Sequence, residues 1–275
     1  MTKPGRMPVY FIPHGGGPWP FMEAPARWGS DPWGGLKVFL EGLKSDVGVT
    51  PRAILIISGH WEKPERFTIS TASRPGMLFD YYNFPPNTYE LSYPAPGAPD
   101  LAAHVREVVA KAGIETDADD QRGFDHGVFI PLMVAFPDAS IPVVMVSLQR
   151  DLDAGQHFAF GQALAPLRDE GILIVGSGMS YHNMRAFSSG APDHVAEAKR
   201  FDRWLTDAVA IADTGQRAAR LAGWVDNPDA RACHVPDHDH LVPLFVAAGA
   251  GGEDPGRQVF SGEVLGKPYS GYRFG

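Results

Sequence analysis

The chain has 275 residues, 44% of them hydrophobic, 20% charged and 11% aromatic, a composition that excludes a disordered tract, a collagen and a coiled coil. Its 24 Lys and Arg against 32 Asp and Glu leave a formal charge of −8, so it lacks the basic field that draws proteins to nucleic acid or anionic membrane. A single cysteine, Cys233, excludes an internal disulfide and any cysteine-rich zinc cluster, and it fits a reducing compartment.

In chain order, residues 9–12 are the first short β-branched apolar run and read as a buried strand. A helical pattern covers 36–47, and a second buried strand covers 53–58. Residues 81–97 are rich in Pro, Tyr and Asn with no period, which predicts a long ordered loop that could cap a pocket. Residues 101–112 form a helix with Leu101, Val105, Val108 and Val109 on one face. After an apolar helix that follows residue 127 come strands over 142–148 and 172–176, with a helix over 158–168 between them. The last third holds helices over 195–212 and 241–248, and edge-strand candidates over 257–260 and 269–274.

Strands alternating with helices predict an α/β fold with a mostly parallel central sheet flanked by helices. With no internal repeat and no linker-like stretch, residues 1–275 read as a single domain. No apolar run approaches the ~18 residues of a membrane span, and 9–12 is shorter than the ~7–15-residue core of a signal peptide. The expectation is a cytoplasmic protein with no membrane or nucleic-acid partner; a homo-oligomer is compatible with the sequence.

The chemistry lies in the ten histidines. His14 follows the first strand in Pro13-His14-Gly15-Gly16-Gly17, His60 follows the second in Ser58-Gly59-His60-Trp61, and His182 follows the fourth in Ser180-Tyr181-His182-Asn183. Ligands of open α/β sheets bind beyond the carboxyl ends of the strands, so these three rings converge on one crevice and make a metal site. Asp125-His126-Gly127 and the cluster from His234 to His240 could complete it. Within that cluster, spacing does not separate His240 from His238 and His234, and Asp237 or Asp239 reads first as a helix N-cap. His104, His157 and His194 sit on helices or their approaches, where an exposed or half-buried histidine is expected, and are set aside. Gly15 to Gly17 lacks the Lys and Ser/Thr of a phosphate loop, and neither Ser58 nor Ser177 stands in a nucleophile elbow.

Together, Pro13-His14-Gly15-Gly16-Gly17, Ser58-Gly59-His60-Trp61, Phe79-Asp80-Tyr81-Tyr82-Asn83-Phe84-Pro85, Asp125-His126-Gly127, Gly176-Ser177-Gly178 with His182-Asn183, and Asp239-His240-Leu241-Val242-Pro243-Leu244 resemble a known family. It is the class III extradiol ring-cleaving dioxygenases, in the DOPA 4,5-dioxygenase-like branch related to the protocatechuate 4,5-dioxygenase β subunit. The resemblance spans most of the chain. It implies that His14 and His60 bind a divalent metal with His240 as third ligand, where the protocatechuate enzymes use a carboxylate. It makes His182 the acid/base beside the substrate, or a fourth ligand, and His126 a hydrogen-bond partner of substrate or oxygen.

The implied reaction opens the ring of a catechol-type aromatic with O2 and needs no flavin or nicotinamide. The implied cofactor is non-haem Fe2+. An all-histidine site also suits Zn2+. Two other readings are a zinc-dependent hydrolase on the same residues and a non-catalytic metal- or ligand-binding member of the fold.

Overall fold

A computed structural model describes residues 5–29 and 31–275. In chain order its strands and helices are β1 (Val9–Pro13), α1 (Gly34–Val47), β2 (Ala53–Lys63), β3 (Phe67–Ser70), α2 (Pro99–Ala110), β4 (Thr116–Asp119), α3 (His126–Ala135), β5 (Val143–Gln149) and α4 (Ala154–Leu164). There follow β6 (Ile172–Gly178), β7 (His182–Asn183), α5 (Pro192–Val209), α6 (Thr214–Ala222), α7 (Ala230–Cys233), β8 (His234–Val235), α8 (Val242–Ala250), β9 (Gly256–Val264) and β10 (Lys267–Phe274).

Among the described residues the main sheet has eight strands in the order β4-β3-β5-β2-β6-β1-β10-β9. Its centre, β5-β2-β6-β1, is parallel throughout and consists of the four apolar runs read from the sequence. These strands are covered on both faces, which is why they read as unbroken runs of Val, Ile and Leu; Ile54 to Ile57 and Ile172 to Val175 are wholly buried. The flanks join this centre antiparallel, β3 against β5 and β10 against β1, with β9 antiparallel to β10 and β4 parallel to β3. Residues 269–274 are therefore interior to the sheet rather than an edge, with Tyr269, Tyr272 and Phe274 buried, and β9 is the edge on that side.

Helix starts differ from the sequence reading by a few residues. Asp153 accepts a hydrogen bond from Gln156 N at 2.7 Å, which begins α4 at Ala154 and places His157 inside it. His157 is fully buried, not exposed, and both ring nitrogens are used: Nδ1 donates to the Asp153 carbonyl and Nε2 accepts from Gln149 N. Helices α3 and α8 are apolar all round and pack as core. Residues 81–97 are a loop with one short 3-10 turn, Pro86–Tyr89. Among the described residues no helix is long and apolar enough to cross a membrane.

Two irregularities position the site. The pairing of β2 with β5 breaks between Ile57 and Glu62, so that Ser58 to Trp61 stand opposite the single residue Ser147. Gly178, at the end of β6, leaves room for the backbone of His240: a Cβ there would lie 2.1 Å from its carbonyl oxygen.

Candidate metal centre

His14 is the first residue past β1. Its N donates to the Gly178 carbonyl at 3.1 Å, joining the ends of β1 and β6, and Gly15 turns the chain away at φ 81°. His60 sits in the β2 excursion. Its N donates to Ser58 Oγ at 3.1 Å, Ser58 Oγ donates to the buried Asp125 at 2.7 Å, and Arg122 donates to both the His60 carbonyl and Asp125. His240 precedes α8, held by Met179 N donating to its carbonyl at 2.8 Å.

These three imidazoles meet. Ring centroids lie 4.9 Å apart for His14 and His60, 5.0 Å for His14 and His240, and 4.6 Å for His60 and His240. One nitrogen from each falls within 4.8 Å of the others, a group able to hold a metal ion. His182 stacks on His240 at 3.5 Å with 10° between the planes, and His126 lies 3.9 Å from His60. All five histidines singled out from the sequence are thus neighbours, and His240 is the member of its cluster that joins them. His238 turns away to the Leu152 carbonyl and the Trp224 ring, and His234 is packed against Phe201 and Trp224. His104 pairs with Glu170 and His194 with Ser189.

Two rings of the triad give Nδ1–H to an acceptor outside the cluster, and the third turns Nδ1 toward a carboxylate. His14 Nδ1 donates to the Gly15 carbonyl at 3.0 Å, His240 Nδ1 to Asp239 Oδ1 at 2.8 Å, and His60 Nδ1 faces Asp80 Oδ2 at 3.4 Å. Burial, followed by the neighbouring histidines, holds all three well below the usual histidine range, so they are neutral at pH 7. A neutral imidazole with its proton at Nδ1 has only a lone pair at Nε2. His14 Nε2 is buried with no hydrogen-bond partner, and the His60 and His240 Nε2 atoms are 3.1 Å apart. At that distance the two atoms can share one proton as a hydrogen bond; with both rings protonated at Nδ1 the contact is lone pair against lone pair, and a cation among the three nitrogens turns that repulsion into ligation. The donor set therefore fits a divalent metal.

Asp80 and Asp239 are the residues that sequence reasoning passed over. Asp239 caps no helix; its Oδ1 accepts both N and Nδ1 of His240 at 2.8 Å. Asp80 Oδ1 accepts from His126 N at 3.0 Å and from His126 Nδ1 at 2.7 Å. Burial pushes the Asp80 carboxyl up, but these bonds outweigh it and hold it below the usual carboxylate range. The signal available for Asp80 was its motif, an acid between two aromatics ahead of a loop.

Comparison with known proteins decides the family. The model of the catalytic LigB subunit of aromatic ring-opening dioxygenase matches residues 24–273. The chain belongs to this family. It is 36% identical to the dioxygenase tasH of Hapsidospora irregularis, over 100% of this chain and 87% of that protein. It is also 36% identical to the 4,5-DOPA dioxygenase extradiol of Beta vulgaris, over 86% of this chain and 88% of the relative, and 32% identical to the Escherichia coli protein of that name over 74% and 75%. A crystal structure of an uncharacterized Escherichia coli K12 protein superposes with a TM-score of 0.77 at 27% identity, covering 98% of this chain and 100% of that one. LigB membership makes the protein a dioxygenase with the α/β architecture expected from its strands.

Proposed function

We propose that this dioxygenase opens the ring of a catechol-type substrate outside its diol with O2, at a non-haem Fe2+ held by His14, His60 and His240. What supports the reading is three neutral rings that bring one nitrogen each within 4.8 Å of the others, with His14 and His240 giving Nδ1–H outward and His60 Nδ1 facing Asp80. When bound, the ion supplies Lewis acidity toward two adjacent phenol oxygens and a path for electrons to dioxygen.

His182 is placed to move the phenol proton. Its Nδ1 lies 3.9 Å from Asp239 Oδ1, beyond hydrogen-bond reach, yet the carboxylate's field favours the proton at that nitrogen and leaves Nε2 to accept. Burial lowers the His182 pKa below the usual histidine range, so the ring is neutral and able to accept at pH 7. His126 gives Nδ1–H to Asp80, and its Nε2 is left to meet substrate or oxygen and to steady developing negative charge. The buried Tyr81 ring, 5.7 Å away and edge-on, keeps water from that side of His126. The partners on this reading are a small aromatic diol and O2.

Anaerobic loading of metal-free protein with Fe2+, then exposure to air with a panel of catechols, is expected to give oxygen uptake and a yellow ring-fission product. Iron-loaded protein that consumes no oxygen with any catechol, beside zinc-loaded protein that cleaves esters or amides, would overturn the proposal in favour of a hydrolase.

A further inference from the structure

We propose that Asp80 is a positioning residue that sets the ring tautomers of His60 and His126 together, one carboxylate oxygen serving each; the assignment rests on the metal centre proposed above. Oδ1 is taken twice by His126, from N at 3.0 Å and from Nδ1 at 2.7 Å, while Oδ2 faces His60 Nδ1 at 3.4 Å. A carboxylate only accepts, so His126 places its proton at Nδ1 and keeps Nε2 bare; Oδ2 faces His60 Nδ1 outside hydrogen-bond geometry and favours the proton there through its charge, against the competing Nε2 contact of His60 with His240. For His60, Nε2 is the atom turned toward His14 and His240; for His126 it is the one left for substrate or oxygen. A single side chain thus prepares a ring on the metal side and a ring on the reacting side.

The carboxylate is not free to choose another arrangement. Met77 bridges Phe124, Leu78 N donates to the Phe124 carbonyl at 2.8 Å, and Asp80 N donates back to the Leu78 carbonyl at 3.1 Å. The chain before Asp80 is therefore joined to the chain before His126, two segments 46 residues apart. Phe79 packs edge-on against Phe129 at 5.8 Å, and Tyr81 packs against His126, so aromatic contacts hold both sides of the acid. Oδ1 also meets the first N–H of α3, where a negative charge is favoured, and this fixes which oxygen turns toward the helix.

This geometry separates Asp80 from an ordinary structural acid through the isosteric amide. In Asp80→Asn the carbonyl oxygen must stay on His126, because the backbone N–H there can only donate. The amide NH2 then faces His60 Nδ1, donor against donor. His60 relieves the conflict by moving its proton to Nε2, the atom the metal needs.

The test uses the full-length metal-free protein, with 15N ring shifts as the tautomer readout and zinc affinity by chelator competition. Wild type is expected to carry the proton at Nδ1 of both His60 and His126. Asp80→Asn is expected to melt like wild type, to keep His126 unchanged, to show His60 protonated at Nε2, and to bind zinc about 10-fold or more weakly. The assignment is overturned by a wild-type His60 protonated at Nε2, which decides the matter even if the variant does not fold. It is equally overturned by a folded Asp80→Asn with unchanged tautomers and zinc affinity within about twofold of wild type. His14→Ala and His240→Ala distinguish the two levels of the reading. If either binds zinc as wild type does, the metal centre itself is wrong; if both lose zinc while Asp80→Asn does not, only the role of Asp80 is wrong.

Discussion

The centre has two flanks built to the same plan and wired differently. On one, Asp239 serves His240 and approaches His182; on the other, Asp80 serves His126 and approaches His60. Asp239 makes its bonds to the next residue in the chain and through one oxygen, whereas Asp80 uses both oxygens and reaches across 46 residues. The first flank is local and self-contained. The second depends on how residues 77–80 dock beside Phe124, so it is the flank where a change in a remote loop reaches the chemistry.

Removing a ring of the triad itself gives the largest effect: His14→Ala and His240→Ala should each weaken zinc binding by more than the ~10–100-fold typical of an outer-shell change, read by chelator competition. His182→Ala should hold its metal and lose turnover by about 10²–10⁴, the range of a lost acid/base, in an oxygen-uptake assay with the iron-loaded protein. Metal loss in His182→Ala equal to that in His14→Ala would instead make His182 a fourth ligand.

Acid provides a reference from outside both flanks. Burial lowers His157 from 6.5 to about 4, so the folded protein binds fewer protons than the unfolded chain between those values. The stability this contributes is complete above about pH 6.5 and is lost as pH falls through about 4, a change on the order of 3 kcal/mol. Denaturant midpoints of metal-free protein from pH 7 to 4 should include it, and His157→Gln should make that part of the profile shallower, the remaining slope coming from the other buried histidines. The smallest effect is Asp239→Asn. Its single working oxygen survives in the amide, so zinc affinity should stay within about threefold of wild type, against the roughly 10-fold loss in Asp80→Asn. Equal losses in the two would remove the distinction between the flanks.

The parallel centre was legible because strands buried on both faces leave no polar residue to interrupt Ala53 to Ser58 or Ile172 to Gly176. β4 was not, since Thr116–Asp119 is partly exposed and carries two aspartates, and β3 is only four residues long. The polar helix α6 was missed because few of its residues are buried. His14, His60 and His182 could be placed because each follows an apolar run read as a strand, although β2 itself continues past His60 to Lys63. Spacing left His240 and His238 undivided and only the family resemblance chose His240; the coordinates give the physical reason, since contacts with the Leu152 carbonyl and the Trp224 ring turn His238 away. The motif around Asp80 was visible, but its role was not, because its partners are fixed by long-range docking, which no local pattern encodes.

The excursion from Ser58 to Trp61 also acts as a ruler. Sheet pairing closes it at both ends, Ile57 with Val146 and Glu62 with Leu148, so the surrounding strands hold their register whatever its length. Successive side chains in extended chain point to opposite faces, and shortening this segment by one residue would turn the imidazole of His60 away from its two companions without sliding the sheet. The fold can outlast the loss of its chemistry at this point, which makes the count of residues here as much a determinant of function as their identity.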